Sequence, residues 1–261
     1  MEPTLTDLIT WARQAGEIVR AGYGKKHTIR YKSAVDLVTD TDHRSEDFLI
    51  NNIRRNFPDH SIITEESGDL AGLSSRRWFI DPLDGTINFS HSMPLFAISL
   101  GYAVDGEVRL GVIYDPLRDE CFSAERGKGA FLNDEPMHVS DTPDLIHSLL
   151  VTGFPYDMWE TPNNNLDHFV NFARRCQSLR RLGSAALDLA YVAAGRLDGY
   201  WEIRIKPWDI AAGTLLVEEA GGVVTKINGS REYLTPPYDV LATTPRLLAL
   251  MLEVFRENLP I

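Results

Sequence analysis

Cysteine is nearly absent: Cys121 and Cys176 are the only two in 261 residues. They form no CxxC pair, which excludes a thiolate metal site, a redox motif and a disulfide framework, and both are expected to be buried thiols. Long apolar runs are also missing. The longest mostly apolar stretch, residues 95–104, is interrupted by Ser99, Gly101 and Tyr102 and falls far short of the ~20 residues a membrane-spanning helix needs. The start, Met1-Glu2-Pro3-Thr4, lacks the basic and then apolar organisation of a secretory leader. A cytoplasmic protein without a membrane partner is expected. Bases are in deficit, 26 against 37 acids, for a formal net charge of −11. That field repels polyanions, so no nucleic-acid partner is expected. The seven histidines form no HExxH or other close ligand pair, and GxSxG, GxxxxGK[ST] and GxGxxG are all missing. These absences argue against zinc and serine hydrolases, P-loop enzymes and Rossmann oxidoreductases. Asp36, Asp40 and Asp42 lack the glycine that a calcium loop needs for its sharp turn.

The chain does contain an ordinary globular complement, 44% hydrophobic and 24% charged residues, enough to bury a sizeable core. Leu5, Leu8, Ile9, Ala12, Ile18 and Val19 recur at helical spacing behind Thr4 and Asp7, which predicts a capped amphipathic helix over residues 4–22. A second helix is expected from about Asp42 to just before Pro58, with Leu49, Ile53 and Phe57 on its inner face. Residues 61–64 and 78–80 read as short strands followed at once by acids, and residues 96–139 as mostly strand, with Asp105-Gly106 as a hairpin turn. Beyond a turn-rich stretch at 143–162, strands at 199–205 and 222–225 alternate with helices around 187–194 and 210–220. No repeat or free linker divides the chain. The expected organisation is one compact unit with a soft boundary near residue 145: an N-terminal α+β half (1–145) and a C-terminal α/β half (146–261).

Four acidic segments stand out, three of them directly beside a strongly apolar element: Thr39-Asp40-Thr41-Asp42, Thr64-Glu65-Glu66-Ser67, Asp81-Pro82-Leu83-Asp84-Gly85-Thr86 and Trp208-Asp209. Carboxylates at the ends of neighbouring elements can point into one crevice. Asp81 and Asp84, with Pro82 fixing a turn between them, can offer two carboxylates and the Leu83 carbonyl to a single cation. A set of oxygen donors without histidine or cysteine suits Mg²⁺, with Mn²⁺ as a substitute. Gly85-Thr86-Ile87-Asn88 can begin a helical turn whose N–H groups bind a phosphate. Any one of these segments alone also reads as an ordinary turn or helix start; the combination points to metal-assisted phosphate chemistry.

Together with Gly127-Lys128-Gly129-Ala130 and Glu219-Ala220-Gly221-Gly222, these motifs run almost end to end and resemble the inositol monophosphatase family, most closely its bacterial members. The resemblance implies an α/β fold built as a layered α/β/α/β/α sandwich, a mechanism with two or three Mg²⁺ ions, lithium sensitivity and a homodimer. Carried over by position, Glu65, Asp81 and the Leu83 carbonyl would hold one metal, and Asp81, Asp84 and Asp209 a second, with Glu65 sharing in a third through water. Asp42 and Thr86 match the pair that orients and deprotonates the attacking water, and the Gly85 and Thr86 N–H groups would bind phosphate oxygens. The substrate, a small phosphorylated polyol or sugar, would lie against Leu83, Asp84, Gly85, Thr86, Gly183, Ser184, Ala185, Glu202 and Asp209, with Glu202 accepting hydrogen bonds from ring hydroxyls.

Two positions depart from the family pattern. Ile87 stands where a second threonine is usual, and Arg204 where relatives often carry glycine. Arg204 is expected to pair with Glu202 or to reach a second phosphate. Lys32 aligns with the family's lysine loop across a one-residue gap. The expected activity is Mg²⁺-dependent hydrolysis of myo-inositol 1-phosphate. The alternatives are a dual inositol phosphate and fructose 1,6-bisphosphate phosphatase, another sugar or nucleotide phosphatase of the family, or a non-catalytic partner-binding dimer.

Overall fold

The structure, a computed structural model, describes residues 2–25, 27–32 and 37–257. Asp36, at the edge of the first acidic motif, lies outside them. Helix α1 (Leu5–Gly22) opens on a reciprocal cap: the Asp7 N–H donates to the Thr4 hydroxyl at 3.2 Å, and the Asp7 carboxylate accepts from the Thr4 N–H at 2.8 Å. Leu8, Trp11, Ala12, Ala15 and Val19 form its buried stripe. After the antiparallel pair β1 (Ile29–Tyr31) and β2 (Leu37–Thr39), helix α2 (Asp40–Asn56) repeats the device with Thr39 and Asp42. It therefore begins two residues ahead of Asp42, whose Oδ2 is committed to the cap.

Next come β3 (Ser61–Thr64), β4 (Gly68–Leu70), β5 (Arg76–Asp84), the short helix α3 (Thr86–Ser90), β6 (Ala97–Val104), β7 (Glu107–Asp115), β8 (Glu120–Glu125), β9 (Ala130–Leu132) and β10 (Glu135–Pro136). Among the described residues these strands form an eight-stranded sheet in the order β10-β9-β8-β7-β6-β5-β3-β4, antiparallel except where β3 meets β5. Asp105 and Gly106 both take positive φ, 53° and 84°, as a two-residue hairpin of this twist requires. Asp81-Pro82-Leu83-Asp84 is not a turn after the strand but its last part. The pairing with β6 slips there, from Asp81↔Ser99 to Asp84↔Ala97, so one extra residue bulges. A bulge is where a sheet tolerates proline, and it re-aims the flanking side chains.

The rest of the chain gives β11 (Leu149–Thr152), α4 (Leu166–Ala173), β12 (Ser178–Arg180), α5 (Ala185–Ala193), β13 (Gly199–Ile203), α6 (Pro207–Glu219), β14 (Val223–Thr225), β15 (Asp239–Thr243) and α7 (Leu248–Arg256). The second sheet has the order β12-β11-β13-β15-β14. Helix α6 starts three residues before Ile210 because Pro207 suits a first helical position. Helices α4 and α7 were not expected from the sequence.

Three apolar cores stack these elements into the layered α/β/α/β/α sandwich. One lies between α1, α2 and the large sheet; one encloses α5 and α6 between the two sheets; the third joins the small sheet to α4 and α7. The middle layer is thin where it must be. Gly101 and Gly111 face each other across β6 and β7, and a Cβ on Gly111 would stand 2.8 Å from the Ala212 carbonyl of α6. On its other side α6 presents Gly213 to Leu189 of α5, where a Cβ would meet the leucine at 2.5 Å. These small residues let α6 lie close to the sheet, which carries Asp209 in its first turn to the end of β5. No helix of the described residues is long and apolar enough to cross a membrane. Cys121 and Cys176 are both buried and free, as expected.

Candidate active site

Asp81 and Asp84 flank the bulge of β5, and Asp209 lies in the first turn of α6. Their carboxylate oxygens come within 4.8 Å of one another. Burial drives all three carboxyls upward: Asp84 reaches about 6, while Asp81 and Asp209 stand well above the ordinary range. Glu65, Asp84 and Asp209 add repulsion at Asp81, and Asp84 and Glu65 do so at Asp209. At Asp84 the Ser184 hydroxyl and the Ala186 N–H, at 2.9 Å, donate to Oδ2 and oppose the rise. A buried, mutually repelling set of carboxylates is costly without a countercharge. Its donors are all oxygen, so they fit a hard divalent cation such as Mg²⁺.

Glu65 lines the same cleft from the turn between β3 and β4 but is not one of the three convergent acids. Lys32 donates to Glu65 at 2.9 Å and to Glu66 at 2.6 Å. Burial works against the lysine charge, but the two acids outweigh it and raise its pKa. Glu66, buried and beside Glu65, is pushed up to about 7. The turn itself is held from α2. Glu46, 1% exposed, accepts from the Thr64 hydroxyl at 2.5 Å, the N–H groups of Glu66 and Ser67 at 3.0 and 3.2 Å, and the Ser67 hydroxyl at 2.6 Å.

The Thr86 hydroxyl lies 2.9 Å from Asp42 Oδ1 and 3.0 Å from the Leu83 carbonyl. Asp42 is fully buried, and its other oxygen accepts from the Thr39 N–H at 3.0 Å. Burial raises its pKa despite these hydrogen bonds, which suits a proton acceptor. Thr86 borders the cleft, whereas Asp42 and Leu83 stand behind it. Between them Gly85 takes φ +91°, where a side chain would strain the backbone and a Cβ would come 2.9 Å from the Leu95 carbonyl.

The cleft holds about 220 Å³ and runs from this cluster past Gly183, Ser184 and Ala185 to Glu202. Glu202 Oε2 accepts from the Tyr200 hydroxyl at 2.8 Å. Burial pushes Glu202 to about 7, against the pull of Tyr200 and Arg181. Arg204 does not pair with Glu202. β13 ends at Ile203, and the left-handed φ of Arg204, 59°, turns its guanidinium to Asp157, which it grips with two bonds of 2.8 and 2.7 Å. Ile87 borders the cleft without a hydroxyl.

Sequence reasoning missed four residues here: Glu46, Gly153, Arg181 and Asp188. Gly153 leaves the room that Glu202 occupies, since a Cβ would fall 1.9 Å from its Oε2. Glu46 and Asp188 carried a signal, an acid set on an otherwise buried helix stripe: Glu46 recurs with Asp42, Leu49 and Ile53, and Asp188 stands among Leu187, Leu189 and Ala190.

A layered sandwich whose middle-layer helix and bulged strand bring acids together beside a threonine–aspartate pair defines a metal-site phosphatase. The profile of the inositol monophosphatase family matches residues 1–259, and the chain belongs to that family. It is 46% identical over 251 residues to the Nus factor SuhB of Pasteurella multocida, covering 95% of this chain and 94% of the relative. It is 44% identical over 261 residues to the inositol-1-monophosphatase of Synechocystis, covering 97% and 88%. The crystal structure of the extragenic suppressor protein suhB from Bartonella henselae superposes with a TM-score of 0.90 at 35% identity, covering 97% of this chain and 98% of that one.

Proposed function

We propose that the chain is a Mg²⁺-dependent phosphomonoesterase that hydrolyses myo-inositol 1-phosphate, or a closely similar polyol phosphate, to the alcohol and inorganic phosphate. The observation that carries this reading is the convergence of Asp81, Asp84 and Asp209 in the cleft that Thr86 borders. Glu65, Asp81 and the Leu83 carbonyl would hold one Mg²⁺, and Asp81, Asp84 and Asp209 a second; Mn²⁺ would serve in their place. Such ions supply positive charge to the phosphoryl oxygens and acidify water.

The protein's own groups do the rest. Asp42 accepts the Thr86 hydroxyl proton, so the Thr86 oxygen is turned toward the cleft with a lone pair free to take the proton of the attacking water. Glu65, which lines the same cleft, would help to orient that water. The Gly85 and Thr86 N–H groups hold phosphate oxygens, and the missing side chain at Gly85 lets the phosphate approach the backbone. Gly183, Ser184 and Ala185 border the alcohol, and Glu202 accepts its hydroxyls. Attack is in line, without a phosphoenzyme. The family resemblance extends the proposal to lithium inhibition and a homodimer.

Phosphate release from inositol 1-phosphate, fructose 1,6-bisphosphate, histidinol phosphate and NADP, with Asp84→Asn as control, tests the reading. Release that needs both Mg²⁺ and Asp84, with the highest kcat/KM on inositol 1-phosphate, supports it; no metal-dependent release from any of the four overturns it. A second reading follows the Pasteurella relative named Nus factor SuhB: the chain acts as a Nus factor, through a surface outside the cleft. Replacement of the SuhB of a depleted host by both the natural chain and Asp84→Asn would support that role independently of catalysis.

A further inference from the structure

Asp188 is an acid that neither the carboxylate cluster nor the expected ring contact employs. It sits in the first turn of α5, where its N–H donates to the Ser184 carbonyl at 3.0 Å. Asp188 borders the cleft and is only 1% exposed. Its Oδ1 is buried and has no hydrogen-bond partner among the described residues. A buried carboxylate oxygen left unpaired is destabilising, and the described residues offer it no donor.

The neighbours define what is missing. Glu202 and Asp84 act on Asp188 as like charges, and Arg181 as the opposing one. The Tyr200 hydroxyl is committed to Glu202 at 2.8 Å. This end of the cleft therefore presents two acids, the buried Asp188 and the half-buried Glu202, with Arg181 as the cation that acts on both. Its complement is a surface that carries hydrogen-bond donors on adjacent carbons.

We propose that Asp188 is a specificity-determining residue that accepts a hydrogen bond from a substrate hydroxyl adjacent to the one facing Glu202, so that the cleft selects phosphate esters of vicinal polyols. This rests on the polyol phosphatase reading and assigns a second hydroxyl contact to the same site. Discrimination of this kind is large because a substrate without the hydroxyl leaves the buried acceptor unpaired.

The test compares kcat/KM on myo-inositol 1-phosphate and on p-nitrophenyl phosphate, which has no hydroxyl, for the Mg²⁺-loaded natural protein, Asp188→Leu and Asp188→Asn. Asp188→Leu is expected to lose at least tenfold on inositol 1-phosphate, mainly through KM, while activity on the aryl phosphate stays within twofold and the melting temperature does not fall. Asp188→Asn keeps one acceptor oxygen and is expected to fall between the two, which also reads the effect if the leucine variant folds poorly. Equal losses on both substrates, or no loss on inositol 1-phosphate, would overturn the assignment. A natural protein that cleaves the aryl ester but not inositol 1-phosphate would instead overturn the polyol reading itself, and this inference with it.

Discussion

At the scale of single residues, the site separates groups that bind from groups that move protons. The Thr86 side chain has one polar atom, a hydroxyl that donates toward Asp42 and the Leu83 carbonyl. Thr86→Val should therefore lower kcat by roughly 10²–10⁴-fold, the range of a lost proton-transfer group, while Mg²⁺ still raises the melting temperature of the variant. Stopped assays and thermal melts together check both halves. Glu202 gives a pH signature. Its folded pKa of about 7 lies above the ordinary 4.5, so the folded state retains the proton longer than the unfolded one. The stability it contributes is complete below about 4.5 and is lost as pH rises through about 7. Glu202→Gln, which cannot ionise, should gain about 2.5 kcal/mol relative to the natural chain between pH 5 and pH 8 in chelator, by urea unfolding. A pH-independent difference would contradict it. The acids of the cleft were legible in sequence because each sits beside a strong local signal, the end of an apolar strand or a helix cap. Asp188 and Glu46 left only the fainter mark of an acid on a buried stripe, whose meaning comes from partners distant in the chain.

Among elements, legibility followed the caps and turns. Thr4 and Asp7, Thr39 and Asp42, and Asp105-Gly106 each impose a backbone geometry locally, and α1, α2 and the β6–β7 hairpin stand where they say. Helix α7 has no such mark: Leu247 precedes it and makes no side-chain cap. The bulge in β5 was misread because proline ordinarily ends a strand, and only the pairing with β6 reveals the extra residue. Arg204 misled for a related reason: its left-handed backbone redirects a side chain that strand alternation would have placed beside Glu202. Element packing also explains how Glu65 is presented. The turn that carries it hangs on one side chain of α2, Glu46, through four hydrogen bonds. Glu46→Gln turns an acceptor of the Thr64, Glu66 and Ser67 donors into a donor itself. It should cost about 2–3 kcal/mol and weaken Mg²⁺ binding several-fold, measured by chemical unfolding and calorimetric titration. Unchanged metal affinity would show that the turn stands without Glu46.

Across the whole molecule, the carboxylate cluster ties the large sheet to the helix layer behind it, since Asp81 and Asp84 come from β5 and Asp209 from α6. A cation held there binds the assembled layers and not the unfolded chain. At 100 times its Kd it should add about 2.7 kcal/mol of stability, a rise in melting temperature of roughly 5–10 °C for a chain of this size. EDTA should reverse the shift and Asp209→Asn should abolish it, both read by scanning calorimetry. The net charge of −11 works in the same direction, because bound cations relieve part of the self-repulsion. The thin middle layer carries a further consequence for the growing chain on the ribosome. The large sheet is complete once β10 ends at Pro136, but the helices that cover its inner face span 185–219. Until they emerge, Ala103, Ile113 and Phe122, all buried in the finished protein, face open solvent, and the nascent sheet is a natural client for chaperones.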